Sequence, residues 1–347
     1  MLDDLKYIHE RDAQDALGLA EKQWQQYKQN FGFTTSFPRP IHNVIVAGMG
    51  GSGLAAKAFK NWPGLVVPFE VVQDYTLPAY AAANTLVICS SYSGNTEEEL
   101  AILDQALMQE KPAESRPMVV VIDSGGKLAT VAKEHVLPTI QLPTGFQPRM
   151  TFGYQLRALV EVCESAGLLS GAASQLETAA DWLKDQMTNW LPTVPVAKNP
   201  AKQLAQEVMG KSPVIYASTV FFPAAYKWKI SFNENAKNLA WCNQYPEFNH
   251  NEFLGWTSHP TEKPYAVIEL RSSIDNPRIQ KRFSVSEQLL SGKRPAPEIV
   301  QLQGENFVQQ MVWAIALGDF VSLYLALLNG LNPTPVEMIE KLKTMLG

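Results

Sequence analysis

The chain is poor in what several classes of protein require. Its three cysteines (Cys89, Cys163 and Cys242) are scattered over 347 residues and form no CxxC pair. That spacing supplies neither a disulfide framework nor a thiolate metal site, and it fits a reducing, cytoplasmic setting. Basic residues form no block and the net charge is -5, so nucleic acid is not expected as a partner. Nor do His, Asp and Glu cluster with metal-ligand spacing, which disfavours a metal-dependent catalyst. The opening residues, Met1-Leu2-Asp3-Asp4-Leu5-Lys6, are charged at once and lack the apolar centre of a signal peptide. One apolar run, residues 311–328, approaches membrane-spanning length, but Gly318 and Asp319 lie in its middle and Gln309-Gln310 flank it. It reads as a helix buried in a large domain or a dimer interface, and no membrane contact is expected.

What is present is material for a large interior. Hydrophobic residues make up 46% and charged residues 18%, which at this length points to two domains rather than one. Helical spacing runs through residues 3–30. Asn43-Val44-Ile45-Val46-Ala47 is a β-branched run that reads as a buried strand, with a glycine-rich segment and a helix over 54–60 after it. Further strands are expected over 66–73, 86–89 and 118–122, the last ending in Asp123-Ser124-Gly125-Gly126. Helices are expected over 151–169 and 171–200, the second ending in a proline-punctuated linker, Leu191-Pro192-Thr193-Val194-Pro195. The alternation then restarts, with strands over 214–217, 265–270 and 298–302, and helices over 223–237 and 306–328. Strands alternating with helices predict an α/β fold of two doubly wound parallel-sheet domains, 1–155 and 156–347. The second reads as a weak pseudo-repeat of the first.

Two turns stand out in the first half. Ser90-Ser91-Tyr92-Ser93-Gly94-Asn95-Thr96 lies between a buried strand and an amphipathic helix opened by Glu97-Glu98-Glu99. Hydroxyls and free amides at a helix start suit a phosphate dianion. A simple helix cap by Ser93 or Thr96 is the plainer reading, but a cap needs one hydroxyl and this turn has four from serine and threonine. The other turn, Gly48-Met49-Gly50-Gly51-Ser52-Gly53, satisfies the dinucleotide pattern G-x-G-x-x-G, with Asp74 near the expected position of a ribose-binding acid. A nicotinamide-dependent dehydrogenase is therefore a rival reading. It leaves the hydroxyl turn without work, and Asp74-Tyr75-Thr76-Leu77-Pro78 is equally a turn. Two neighbouring loops of small residues converge better on one compact phosphate. The matching turn of the second half, Ser218-Thr219-Val220-Phe221-Phe222, has no glycine, so a phosphate site belongs to the first half.

The two loops resemble the paired phosphate loops of sugar isomerase (SIS) domains. Phe232-Asn233-Glu234-Asn235-Ala236-Lys237, Asn249-His250-Asn251-Glu252, Gln147-Pro148-Arg149 and Asn332-Pro333-Thr334-Pro335-Val336 through Lys341 narrow the match. In that order, from about residue 44 to 341, they are similar to the bifunctional phosphoglucose/phosphomannose isomerases, a two-SIS-domain family. The resemblance implies hexose 6-phosphates as substrates, no cofactor, and a homodimer with shared active sites. It assigns the phosphate to Gly51, Ser52, Ser91, Ser93 and Thr96, and the catalytic base to Glu234. It gives His250 ring opening from across the dimer, Arg149 the developing enediolate, and Thr334 and Lys341 the C2 and ring-oxygen region. Lys343 competes with Lys341 for its assignment, and Lys227 stands where an arginine is expected.

The residue types suit aldose–ketose isomerisation, which moves a proton between C1 and C2 through a cis-enediol. One carboxylate over one face serves both carbons, and a histidine is the side chain that titrates near neutrality. Arg149 and Lys341 bring charge for an enediolate. Taken singly, Glu234 reads as a solvated helix-end glutamate, His250 as a loop histidine bonded to backbone, and Thr334 as a helix N-cap before Val336. A non-catalytic module that senses sugar phosphates would keep Ser52 and residues 91–96 but has no need of Glu234 or His250.

Overall fold

The computed structural model describes residues 1–108 and 112–346. The chain divides into two compact units, Gln23–Asp181, and Met1–Lys22 with Trp182–Gly347. Residue 155, where the sequence places a domain boundary, falls within the helix Phe152–Ser165 of the first unit.

The helical stretch expected over 3–30 is broken into α1 (Leu5–Arg11), α2 (Ala16–Glu21) and α3 (Trp24–Tyr27). Aspartate causes the break. The Asp12 carboxylate accepts the amides of Ala16 (2.8 Å) and Leu17 (2.9 Å), and Asp15 caps α2 from a left-handed conformation. Short acidic side chains compete with the helix for its own amides.

In the first unit the chain runs β1 (Asn43–Ala47), α4 (Gly50–Phe59), β2 (Phe69–Val72), β3 (Thr85–Ser91), α5 (Glu97–Leu107), β4 (Met118–Asp123), α6 (Gly126–Glu134), β5 (Thr139–Gln141) and α7 (Phe152–Ser165). The helix α8 (Ala172–Met187) follows. The five strands are parallel in the order β2-β1-β3-β4-β5. That is the flavodoxin-like order, whose ligand crevice lies beyond the carboxyl ends of β1 and β3. Every residue of β3 and β4 is buried, as a strand covered on both faces requires.

The second unit continues with α9 (Pro200–Val208), β6 (Ser212–Ser218), α10 (Phe222–Glu234), β7 (Trp241–Tyr245), α11 (Glu252–Gly255), β8 (Tyr265–Arg271), α12 (Pro277–Leu289), β9 (Glu298–Gln301), α13 (Phe307–Leu328) and α14 (Glu337–Leu346). Its four parallel strands take the order β7-β6-β8-β9, the first sheet's pattern with one strand fewer. The apolar α13 is buried along nearly its whole length. Its two discordant residues have structural work. A Cβ on Gly318 would meet the Trp228 ring at 2.4 Å, so glycine opens the slot that α10 fills. Asp319 receives the ammonium of Lys227 and the hydroxyl of Ser231, both from α10, in the buried interior.

Candidate active site

The loops of interest leave one edge of the first sheet. Ala47 pairs with Cys89 in parallel register, so the glycine loop after β1 and the hydroxyl turn after β3 emerge side by side. Gly50, at φ +48, turns the chain into α4, and among the described residues no side chain caps that helix. Helix α5 has Thr96 at its N-cap position, again without a side-chain cap. The Thr96 hydroxyl instead bonds that of Ser91 at 2.7 Å. Ser91 Oγ also accepts the Gly94 amide at 3.1 Å, and Ser93, which is exposed, accepts the Asn95 amide at 3.3 Å. Two helix starts thus present amides, with hydroxyls between them, at one edge.

The surrounding packing fixes both loops. Gln155, on α7, donates to Ser52 Oγ and accepts from Ser90 Oγ, each at 2.8 Å, so one amide spans α4 and β3. A Cβ on Gly51 would lie 2.7 Å from the Pro148 carbonyl, which sets the buried Arg149 beside the first turn of α4. A third loop, after β4, clamps the hydroxyl turn. The Lys127 amide donates to Asn95 Oδ1 at 3.1 Å and the Leu128 amide to the Gly94 carbonyl at 2.8 Å. A Cβ on Gly94 would meet the Gly125 carbonyl at 1.7 Å, which only glycine permits. Gly51, Ser52, Ser91, Ser93, Thr96 and Arg149 therefore belong to one neighbourhood. Asp74 is exposed and accepts the amide of Tyr75 at 2.7 Å, the behaviour of a turn former.

Two buried carboxyl groups at this edge were not singled out from sequence. Asp123, paired with Ser91 across the sheet, accepts the Gly125 amide at 2.8 Å, while its Oδ2 has no partner among the described residues. Burial pushes its carboxyl up to about 6, against the opposing pull of that amide. Glu99 is 1% exposed, and burial raises it to about 7.

The remaining candidates lie in the second unit. Glu234 ends α10 and is half-buried. Asn235, next to it, donates to Ser322 on α13 at 2.9 Å. Lys237, at φ +51, donates to the carbonyls of Asn332 and Pro333, both at 3.0 Å. That ammonium ties the Asn-Glu-Asn block to the turn bearing Thr334, whose amide donates to Asn332 Oδ1 at 3.0 Å. Thr334 lies ahead of the cap position of α14, which begins at Glu337. Lys341 and Lys343 are both exposed on α14.

His250 is elsewhere in this unit. It is exposed at the end of a 3-10 turn, Glu247–His250, beyond the carboxyl end of β7. Glu234 lies toward the opposite edge, because α10 returns antiparallel to β6 and Asn238 donates to the carbonyl of Lys211, just before that strand, at 3.0 Å. Strand β7 runs along the chain between these two residues, which lie toward opposite ends of the strands.

Comparison with known proteins is consistent at each level. The C-terminal SIS domain of bacterial phospho-glucose isomerase matches residues 197–346. The bifunctional phosphoglucose/phosphomannose isomerase of Caldicellulosiruptor bescii is 35% identical over 316 residues, covering 88% of this chain and 90% of that protein. Its namesake from Aquifex aeolicus is 31% identical over 311 residues, with 88% and 91% covered. A D-glucosamine-6-phosphate 4-epimerase of Sulfolobus acidocaldarius is 28% identical over 256 residues, 73% of this chain and 77% of that protein. Among solved structures, the tagatose-6-phosphate ketose/aldose isomerase of Escherichia coli gives a TM-score of 0.70 at 14% identity, covering 93% of this chain and 95% of that one. The fold is the α/β, two-sheet SIS type. The chain belongs to the bifunctional phosphoglucose/phosphomannose isomerase family.

The raised Asp123 carboxyl has a consequence for stability. A folded value of about 6 above an ordinary 3.8 means the folded state holds its proton longer, so stability is lost as pH rises through that window. Asp123→Asn keeps an acceptor for Gly125 and removes the charge. It is expected to stabilise the protein by about 1–3 kcal/mol at pH 8 and by much less at pH 4. Urea unfolding at the two pH values checks this.

Proposed function

We propose that the protein interconverts glucose 6-phosphate and mannose 6-phosphate with fructose 6-phosphate. The observation that carries this reading is the convergence, at one sheet edge, of two uncapped helix starts and the Ser91–Thr96 hydroxyl pair. Family membership gives it its substrate class. In this reading the phosphate takes the amides and hydroxyls of Gly51, Ser52, Ser91, Ser93 and Thr96. Charge-assisted hydrogen bonds to a dianion are the strong kind, and several act together.

Glu234 serves as the base that takes the proton from C2 and returns it to C1, or the reverse, through the shared cis-enediol. Arg149, which is buried, and Lys341 bring positive charge to the enediolate. Glucose and mannose 6-phosphates differ only at C2 and give the same enediol. An enzyme for both needs room and a small hydrogen-bonding group there, and Thr334 supplies one. The carboxylate mechanism requires no metal, and among the described residues no three His, Cys, Asp or Glu are grouped to hold one.

His250 acts as the ring-opening acid–base group in the site of a second copy. The position of His250 and Glu234 at opposite edges of one sheet supports this assignment. A histidine at the far end of the sheet from its own chain's base is available to complete a neighbour's site in a homodimer.

The direct test supplies fructose 6-phosphate with a chelator present and follows both aldose products. The unmodified protein is expected to form both. Glu234→Gln is expected to bind substrate normally and turn it over about 10²–10⁴-fold more slowly, the usual contribution of a positioned base. A variant of near-normal rate would remove Glu234 from the mechanism.

The shared site has its own test. Inactive Glu234→Gln and His250→Ala chains, once mixed and exchanged, should regain activity, because a hybrid dimer places both defects in one site and leaves the other intact. Demonstrated subunit exchange without recovery contradicts the arrangement.

A further inference from the structure

Glu99 joins the two loops in a way that neither the fold nor the proposed chemistry explains. It is the third residue of α5, and Thr96-Glu97-Glu98-Glu99 has the spacing of a capping box, in which the acid turns back to the amide of its own helix cap. Here the carboxyl reaches across the chain. Its Oε1 accepts the amide of Met49, at the N-cap position of α4, while the Thr96 hydroxyl bonds Ser91. One buried carboxyl therefore spans the first turns of both helices whose amides face the phosphate position. Its Oε2 is buried and has no partner among the described residues.

A carboxylate in that place is poorly served. The Met49 amide, the Thr96 side chain and its own amide favour the charged form, while Oε2 has no hydrogen-bond partner among the described residues. Glu98, on the same helix, adds repulsion; from β3 comes the Cys89 thiol, itself held protonated by burial. From the glycine loop comes the Met49 amide. Burial, more than any charge, pushes the carboxyl up to about 7. A dianion placed among the same amides adds like charge close by and raises it further.

We propose that Glu99 is a positioning residue that holds the two loops together and takes up one proton from solvent when a phosphate dianion binds between them. This rests on the reading that these loops hold the substrate's phosphate. By linkage, the protonated carboxyl strengthens phosphate binding as much as phosphate strengthens protonation. Affinity then falls as pH rises above about 7, approaching about tenfold per pH unit until Glu99 is ionised in the complex as well. The phosphate's own second ionisation, near about 6, is complete by then and supplies no slope of its own.

Titration calorimetry of fructose 6-phosphate at pH 7.5–8.5, in buffers of different ionisation enthalpy, counts the protons. The unmodified protein is expected to take up close to one per site at the top of the range. Glu99→Gln keeps an acceptor for the Met49 amide, so it is expected to bind with no linked proton and a flat pH profile. Equal uptake in Glu99→Gln puts the proton on another group and overturns the proposal. Binding without uptake in the unmodified protein overturns it too, while leaving the phosphate site standing. No binding at all removes the phosphate reading and the proposal together. Should Glu99→Gln fail to fold, infrared difference spectra of the unmodified protein decide. A protonated-carboxyl band gained on adding fructose 6-phosphate at pH 7.5 supports the proposal, and its absence contradicts it.

Discussion

Everything proposed for the first unit depends on the parallel register of β1 against β3. Ala47 lies opposite Cys89, so Gly48 leaves the sheet level with Ser90, which is near the end of the adjacent strand about 4.8 Å away. From that single pairing come the side-by-side helix starts, the shared Gln155 bridge and the reach of Glu99 from one loop to the other. A slip of one residue would turn each buried side chain to the other face and separate the loops. The glycines are the second condition. Gly51 lets the Arg149 turn approach, and Gly94 lets the loop after β4 close on the hydroxyl turn.

In the second unit, the phase of α10 is the matching constraint. Trp228 sits in the slot that Gly318 opens and donates to the carbonyl of Ala314 at 2.7 Å. Lys227 and Ser231 meet Asp319, and Asn235 meets Ser322. A buried ion pair is weak evidence for stability, since desolvation offsets much of its attraction. Its directionality is a different matter. Four contacts spread over residues 227–235 leave α10 one rotation against α13, and Glu234 sits at the end of that locked helix.

The strands with continuous valine and isoleucine runs were legible in the sequence because burial on both faces leaves them no polar alternation. β7 was not, since Trp241-Cys242-Asn243-Gln244-Tyr245 is an edge strand with polar residues among its aromatics. Helix α12 was missed for a related reason: it is largely polar, with Phe283 and Ser286 the positions it buries. The two loops were visible as concentrations of glycine and hydroxyl side chains. Glu99 and Gln155 were not, because the contacts that matter lie 50 residues away for Glu99 and 65 and 103 residues away for Gln155, and the capping-box spacing of Glu99 points to its own helix instead. The separation of Glu234 from His250 likewise follows from the direction of α10 and β7, which no motif states.

The central claim is that one carboxylate moves a proton between C1 and C2 of a hexose phosphate. Isomerisation of fructose 6-phosphate in deuterium oxide tests it most directly, because a proton held by a side chain exchanges with solvent while a hydride passed between carbons does not. The account predicts deuterium at C2 of both glucose 6-phosphate and mannose 6-phosphate. Aldose products formed at full rate without deuterium at C2 would contradict it.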